Sequence, residues 1–247
     1  MTPSLLELPV LVVDCQTTGG SPRTGHLLDL GWCVHRAADP PPDPGSIRHH
    51  IARLPPGAGI PRPVTRLTGL TAAHARAGRS HGDLWRDLGE DAAALRNGTG
   101  AFCVAHYARF EEGFLRALHA ECAPADPFPL RFLCTHEICR RLFPALPRRG
   151  LRAMAGHFGS PAPELKRARE HVAATAALWS GLARRLRGEH GVETLDDLRR
   201  LLSEPPLPRR GRWEYPLARE KRLGLPDRPG VYRFLGGDGA VLYVGKA

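Results

Sequence analysis

Three short segments carry side chains that could do chemistry if the fold brought them together: Val13–Gly19, Ala105–Glu111 and His171–Ala177. They contain two carboxylates and two imidazoles. Carboxylate oxygens are preferred ligands of hard divalent cations, and an imidazole can move a proton near neutral pH. Taken singly, Asp14 is typical of a turn after a strand, and the histidine of the third segment is typical of a solvated helix. Only their joint order indicates a site.

Strands are predicted around the first segment. The apolar, β-branched run Pro9–Asp14 predicts a buried strand with the acid at its carboxyl end. A turn-forming stretch, Thr18–Gly25, separates it from strands predicted over Leu27–Val34 and Ile47–Ile51. Strands joined by short turns predict an antiparallel meander.

Helices and another strand are predicted after the meander. A short helical turn over Val64–Leu70 precedes a helix over about Gly82–Arg96, and Ala101–Ala105 is the next buried strand. Apolar residues then recur at helical spacing in three stretches: Phe110–Leu118, Leu151–Phe158 and Val172–Leu186. This order of strands and helices predicts an α/β fold with a mixed sheet.

Composition limits the class of protein. The formal net charge of +10 favours a polyanionic partner, although an arginine-rich coding bias would produce the same balance. No apolar run approaches the roughly 20 residues of a membrane span, so no membrane partner is expected. The first residues do not resemble a secretion signal. The six cysteines lack paired CxxC spacing, which predicts free thiols and a cytoplasmic location.

The three segments, in this order, resemble the motifs of the DEDDh 3′–5′ exonucleases, the family of the epsilon proofreading subunit of bacterial DNA polymerase III. Supporting segments occur at fitting separations: Ile60–Pro61, Leu67–Thr71, Leu142–Pro144 and Leu151–Gly159. The resemblance covers about residues 8–187. It implies an RNase H-like exonuclease fold with a mixed sheet flanked by helices. It also implies chemistry with two divalent cations, Mg²⁺ or Mn²⁺, at a phosphodiester.

The resemblance assigns roles to individual positions and reveals departures from the family pattern. Asp14 takes the place of the first acid, Gln16 that of a Glu, Glu111 that of an Asp, and His171 that of the general base. The last acid of the pattern falls on Ala176. The resemblance therefore implies Asp14, Gln16, Glu111 and His171 as catalytic residues. Asp14 and Glu111 remain as metal ligands, which predicts one weakly bound Mg²⁺ or Mn²⁺ ion in place of a competent pair.

Three other acids lie close to these positions in the sequence. Glu112 is adjacent to Glu111, and neighbouring residues do not share a helix face. Glu170 lies on a different face of its helix from Ala176. Asp29 lies on the strand that should pair with the first strand, and is the strongest of the three. No pattern in the sequence places any of them at the metal.

The resemblance also implies contacts with a nucleic acid. Thr17, Thr18 and Gly19 take the place of the loop that surrounds the 3′-terminal nucleotide, and His106 and Tyr107 lie in the second motif. Tyr107 replaces the family's Asn and could stack on a base or pack internally. The expected partner is DNA, single-stranded or with a 3′ end. RNA and replication or repair proteins are further candidate partners.

The carboxyl-terminal part differs in composition. A helix predicted over Leu195–Leu202 and a basic, Pro-rich linker follow the first domain. Gly230–Phe234 and Ala240–Val244 predict two strands around a glycine-rich turn, which is a strong hairpin pattern. We therefore predict an exonuclease-like domain over 1–187, a helix and linker over 188–222, and the beginning of another domain over 223–247.

The hairpin segment resembles the start of a GIY-YIG nuclease domain, similar to that of excision-repair endonucleases. Tyr232, Tyr243 and Gly245 carry this resemblance. In that family the two tyrosines flank the scissile phosphate, while a downstream Arg and a metal-binding Glu complete the site. The resemblance implies a fragment that cannot cut by itself.

Three functions remain open on the sequence. The ligand losses favour a nucleic-acid-binding exonuclease fold of DNA repair or replication, in which hydrolysis is weak or absent. The family resemblance taken alone favours an active, divergent 3′–5′ exonuclease. A protein-interaction module without nucleic-acid contact is the third, and the basic charge argues against it.

Overall fold

The computed structural model describes residues 3–95, 100–146, 148–160, 165–204, 224 and 229–246. By its contacts the chain divides into two compact units, Met1–Leu207 and Pro208–Ala247, which are described separately. Within the described ranges, no helix has both the length and the apolar character needed to cross a bilayer.

The first unit contains one mixed five-stranded sheet. Its strands are β1 Val10–Thr17, β2 Leu27–His35, β3 Arg48–Ile51, β4 Ala101–Ala105 and β5 Leu130–Cys134. Their spatial order is β3-β2-β1-β4-β5. β1, β2 and β3 pair antiparallel, whereas β4 pairs parallel to both β1 and β5. The predicted meander and mixed sheet are confirmed.

The central strand β1 is buried on both faces, as its unbroken apolar run predicts. Val10 and Val12 join the core on one side of the sheet, and Leu11 and Val13 join the core on the other. This alternation follows from the two-residue repeat of a strand. The pairing of β1 with β2 becomes irregular between Gln16 and Thr17, where the strand ends and the candidate site begins.

Helices cover both faces of the sheet. They are α1 Arg62–Thr68, α2 Ala72–Arg76, α3 His81–Ala94, α4 Ala108–Cys122, α5 Thr135–Leu142, α6 Leu151–His157, α7 Ala168–His190 and α8 Leu195–Ser203. Residues of α5, α6, α7 and α8 share one core with Val10 and Val12, and residues of α3 and α4 share the other core with Leu11 and Val13. The mixed α/β class with a sheet flanked by helices is confirmed.

Several boundaries differ from the sequence-based expectations. β5 and α5 were not predicted, because Arg131 interrupts the apolar run of the strand and no loop separates the strand from the helix. The equally short β4 is apolar throughout and was predicted. α7 continues past residue 187 to His190. α8 packs with Leu195 and Leu198 on the core of the first unit. Gly159 follows α6 with a left-handed φ of 77°, a conformation in which glycine commonly ends a helix.

The second unit contains a two-stranded antiparallel hairpin, β6 Val231–Leu235 and β7 Val241–Lys246. Gly239 has a φ of 79° in the turn between them, a conformation that glycine adopts without a steric penalty. The predicted hairpin is confirmed. Residues 205–222 of the predicted helix and linker lie outside the described residues.

Candidate functional site

The candidate site is a cleft of about 1370 Å³ in the first unit. β1 and β4 run parallel and are neighbours, so their carboxyl ends meet at one edge of the sheet. Asp14 and Gln16 come from the end of β1, Glu111 from the first turn of α4 after β4, and His171 from the first turn of α7. All four predicted catalytic residues line this cleft.

Asp14 is the centre of the polar contacts in the cleft. Its Oδ2 accepts a hydrogen bond from Gln16 Nε2 at 2.8 Å, and its Oδ1 lies 3.4 Å from His171 Nδ1. Gln16 therefore interacts with Asp14 as a hydrogen-bond donor, whereas the Glu of the family pattern would add a second negative charge there. Asp14 itself is buried.

Glu111 is the other carboxyl of the cleft, and it is 4% exposed. Its Oε2 is buried and has no hydrogen-bond partner among the described residues. Burial raises its pKa to about 9, and the nearby charge of Asp14 contributes in the same direction. At neutral pH Glu111 therefore retains its proton in the absence of a cation.

His171 responds in the opposite way to the same neighbour. Burial of its ring lowers the pKa, but attraction to the Asp14 carboxylate outweighs burial and raises the pKa above its ordinary value. The pair therefore favours a protonated imidazole beside Asp14.

The acids that could replace the lost ligands have other partners. Glu112 Oε1 accepts a hydrogen bond from Arg116 Nε at 2.8 Å. Glu170 Oε2 accepts hydrogen bonds from the backbone N–H groups of Lys166 and Arg167 at 2.8 and 2.9 Å, so it caps the start of α7. Neither residue lines the cleft.

Asp29, the strongest of the three on the sequence, has a structural role. Its Oδ2 accepts hydrogen bonds from Arg167 Nε at 2.7 Å and from the Ala168 backbone N–H at 3.1 Å. A Cβ added at Gly31 of β2 would lie 3.0 Å from the Ala168 backbone, so helix and strand approach closely here. Asp29 therefore attaches the start of α7 to β2 and helps to place His171.

The cleft offers two carboxylates to a divalent cation, which is too few for two such ions. Asp14 and Glu111 offer carboxylate oxygens, and the unpartnered Oε2 of Glu111 is an available ligand atom. Ala176 is fully buried and carries no ligand atom. No group of three or more His, Cys, Asp or Glu in the described ranges could hold a metal ion. Two dications would face too few anionic oxygens to balance their charge.

The loop after β1 is held by its own contacts. Thr17 lines the cleft, and its hydroxyl donates to the Gly19 carbonyl at 2.7 Å. Thr18 Oγ1 accepts from the His26 backbone N–H at 2.8 Å. A Cβ at Gly19 would lie 2.5 Å from the Thr24 carbonyl oxygen, so only glycine fits there without a shift.

His106 and Tyr107 link β4 to α4. His106 Nδ1 lies 2.9 Å from Thr135 Oγ1, and its Nε2 lies 3.0 Å from the Arg149 carbonyl oxygen. Burial lowers its pKa to about 4, so the ring is neutral and joins the start of α5 to the loop before α6. Tyr107 lines the cleft and is half exposed.

Several residues that line the cleft were not among the predicted site residues, and His136 and Leu67 are two of them. His136 lies on α5, which was not predicted, so no position could be assigned to it. Leu67 lies in a segment that supported the family resemblance, but nothing in the sequence indicates that its side chain is exposed.

The three residues predicted in the second unit lie together on the hairpin. The ring centroids of Tyr232 and Tyr243 are 5.9 Å apart, and Gly245 pairs with Tyr232 across the strands. A Cβ at Gly245 would overlap the Tyr232 ring. Tyr232 is therefore packed over a strand position that a larger residue could not occupy.

No protein-family model matches the chain. Over 247 residues the chain is 33% identical to a Mycobacterium tuberculosis (strain CDC 1551 / Oshkosh) protein named "Putative bifunctional exonuclease/endonuclease protein MT2247". The match includes 99% of this chain and 36% of that protein, so the chain spans about a third of the length of that relative.

Solved structures with a similar fold include several exonucleases. Exonuclease X in complex with 5′ overhanging duplex DNA has a TM-score of 0.52 at 16% identity, covering 78% of this chain and 99% of that chain. The nuclease domain of 3′hExo, a DEDDh family member bound to rAMP, has a TM-score of 0.55 at 12% identity, covering 74% and 94%.

A zinc-bound complex of E. coli ExoI with single-stranded DNA has a TM-score of 0.60 at 14% identity, covering 75% of this chain and 42% of that chain. At these identities the likeness concerns the fold. The first unit therefore has the mixed α/β, RNase H-like fold of these exonucleases, and its cleft lies where the predicted motif residues meet.

Proposed function

We propose that the first unit is a nucleic-acid-binding module of the DNA polymerase III epsilon-like exonuclease family that acts in DNA repair or replication with weak or absent hydrolysis. One observation carries this proposal: the four predicted catalytic residues line a single cleft, but Ala176 is fully buried in place of an acid. The cleft keeps its shape and has half of the expected carboxylates. DNA with a single strand or a 3′ end is the preferred partner, and RNA is the alternative.

The proposed roles of the residues follow from their positions. Asp14 and Glu111 would hold one Mg²⁺ or Mn²⁺ ion, which supplies a positive charge for a phosphate oxygen when it is bound. Gln16 orients Asp14 through its hydrogen bond. His171, beside Asp14, is placed to exchange a proton at the edge of the cleft.

Thr17 borders the same cleft, and Thr18, Gly19 and His106 shape its walls through the contacts described above. Their proposed role is to fix the surface on which the nucleic acid lies. Tyr107 is the half-exposed side chain of this group. It is the proposed direct contact with a base.

A metal-titrated assay with a 5′-labelled single strand tests the proposal. We expect binding that weakens steeply with salt, persists in a chelator, and produces little or no shortening of the strand. Rapid Mg²⁺- or Mn²⁺-dependent shortening that Asp14→Ala abolishes would establish the active exonuclease instead. Absence of binding at low salt would support the protein-interaction module.

We further propose that the hairpin begins a GIY-YIG nuclease domain. Two features support this: Tyr232 and Tyr243 lie together beside Gly245, and the mycobacterial relative, which is longer, has both exonuclease and endonuclease in its name. The proposed organisation has an exonuclease-like domain over 1–187, a helix and linker over 188–222, and the GIY-YIG start from 223. A nicking assay on the full-length protein with Tyr232→Phe tests it, since unchanged nicking would exclude this role.

We also propose a cytoplasmic location. All six cysteines are free thiols, which is typical of a reducing compartment. Fractionation of cells that express the protein, followed by detection with an antibody, would check this location.

A further inference from the structure

Tyr107 has an unusual backbone conformation. Among the described residues it is the one non-glycine residue with a positive φ, at 65° with a ψ of 46°. Bulky side chains rarely adopt this left-handed region. Ala105 and Ala108 on either side are buried, so the flanking strand and helix hold the residue in place. Backbone strain of this kind is concentrated at binding and catalytic sites.

The Tyr107 ring packs against two histidine rings and remains partly exposed to solvent. It is 49% exposed. The His136 ring lies against it, with centroids 4.1 Å apart and planes at 31°. The His106 ring meets it edge-on, at 4.8 Å and 79°. His106 is itself fixed through both ring nitrogens to Thr135 and Arg149, so the Tyr107 ring has a defined position.

The surroundings of this ring suit a base with its attached phosphates. Leu67 lines the same cleft and is 70% exposed, which provides a second apolar surface. Arg148 and Arg152 also line the cleft, and guanidinium groups bind phosphates well. An aromatic ring that is already fixed loses little conformational freedom when a ligand stacks on it.

We propose that Tyr107 and His136 form a stacking platform that binds one unpaired nucleobase of a single strand without distinguishing its identity. The proposal rests on the nucleic-acid binding proposed above and names the feature of the substrate that is recognised. Every base has a π-face, so stacking tolerates any sequence. A base inside a duplex is already stacked between its neighbours, so the platform favours single strands over paired ends.

Binding measurements with single-residue variants test the platform. Fluorescence anisotropy is measured in a chelator, with a labelled single-stranded oligothymidine and with a series in which one base at a time is replaced by an abasic site. Tyr107→Asn removes the ring, and asparagine tolerates the left-handed backbone. Val34→Asn is the matched control, since it also changes an exposed apolar residue but does not line the cleft.

We expect Tyr107→Asn to weaken binding of the intact strand by about tenfold, with Tyr107→Phe restoring most of it and Val34→Asn having no effect. One abasic position should weaken binding to the wild-type protein and cause no further loss in Tyr107→Asn. His136→Ala should have a smaller effect in the same direction. Circular dichroism confirms that each variant is folded.

The outcomes separate the two proposals. Equal binding of the intact strand by the wild-type protein and Tyr107→Asn would overturn the platform and leave nucleic-acid binding standing. A loss in Tyr107→Asn that is independent of the abasic position would also overturn it, because the ring would then not contact a base. No binding of any strand by the wild-type protein at low salt would overturn the proposed function itself.

Discussion

Two parts of the same cleft depart from the family pattern in opposite directions. The acidic part (Asp14, Glu111 and His171) has two carboxyls where the pattern has four. One of the two, Glu111, is protonated at neutral pH in the absence of a cation, because burial and Asp14 raise its pKa to about 9. The aromatic part (Tyr107 and His136) has a ring where the pattern has an amide. On the proposed function, the aromatic part contacts the nucleic acid, while the acidic part offers too few carboxylates for two metal ions.

The largest expected effect is on the free energy of unfolding, and it concerns Asp29, which attaches the start of α7 to β2. Asp29→Ala leaves the largely buried guanidinium of Arg167 without its partner and removes the acceptor of the Ala168 N–H. We expect a loss of about 3–5 kcal/mol in the free energy of unfolding, measured by urea denaturation. Glu112→Ala, which breaks the more exposed pair with Arg116, should cost less than about 1 kcal/mol. Similar losses in both variants would show that Asp29 has no special role.

Glu111 provides the next test, because its folded state keeps a proton that the unfolded chain releases. The folded pKa of about 9 lies above the ordinary value of 4.5, so the stability falls as the pH rises from 4.5 towards 9. Glu111→Gln removes this cost and should stabilise the protein by on the order of 3 kcal/mol at pH 7. The gain should shrink towards zero near pH 4.5, which denaturation at both pH values would check. A destabilised Gln variant would mean that Glu111 is ionised and paired.

Restoring the ligands would make the acidic part resemble the family pattern. The triple variant Gln16→Glu, Glu111→Asp and Ala176→Asp should increase Mg²⁺-dependent shortening of a single strand by at least about a hundredfold. Added carboxylates repel one another in the buried site, so Mg²⁺ should also raise the melting temperature of this variant more than that of the wild-type protein. A folded triple variant that remained inert would show that the motif assignment is wrong.

The smallest expected effect is on stability in the aromatic part. Tyr107→Asn relieves backbone strain of about 1–3 kcal/mol, but it also removes the contact with His136, worth about 0.5–1.5 kcal/mol. Because the two contributions oppose one another, we expect the free energy of unfolding to change by no more than about 1 kcal/mol. Urea denaturation measures this change. A large loss would mean that the ring is needed for folding, and the comparison with the acidic part would then fail.

Much of the fold could be predicted from local patterns. The apolar run of β1, the hairpin turn at Gly239 and the stop of α6 at Gly159 each follow from residue spacing within a few positions. β5 and α5 were not predicted, because Arg131 interrupts the apolar pattern of the strand and no turn separates the strand from the helix. His136 was missed with them, and so was its contact with Tyr107.

The candidate site, like the fold, could be predicted only in part from the sequence. The sequence by itself determined which residue types stand at the motif positions, including the losses at Gln16 and Ala176, because identity is a local property. Only the tertiary structure decided the partners: Asp29 pairs with Arg167, 138 positions away, and His136 supports Tyr107. Such contacts depend on how helices and strands pack, since packing brings together residues whose separation along the chain carries no signal.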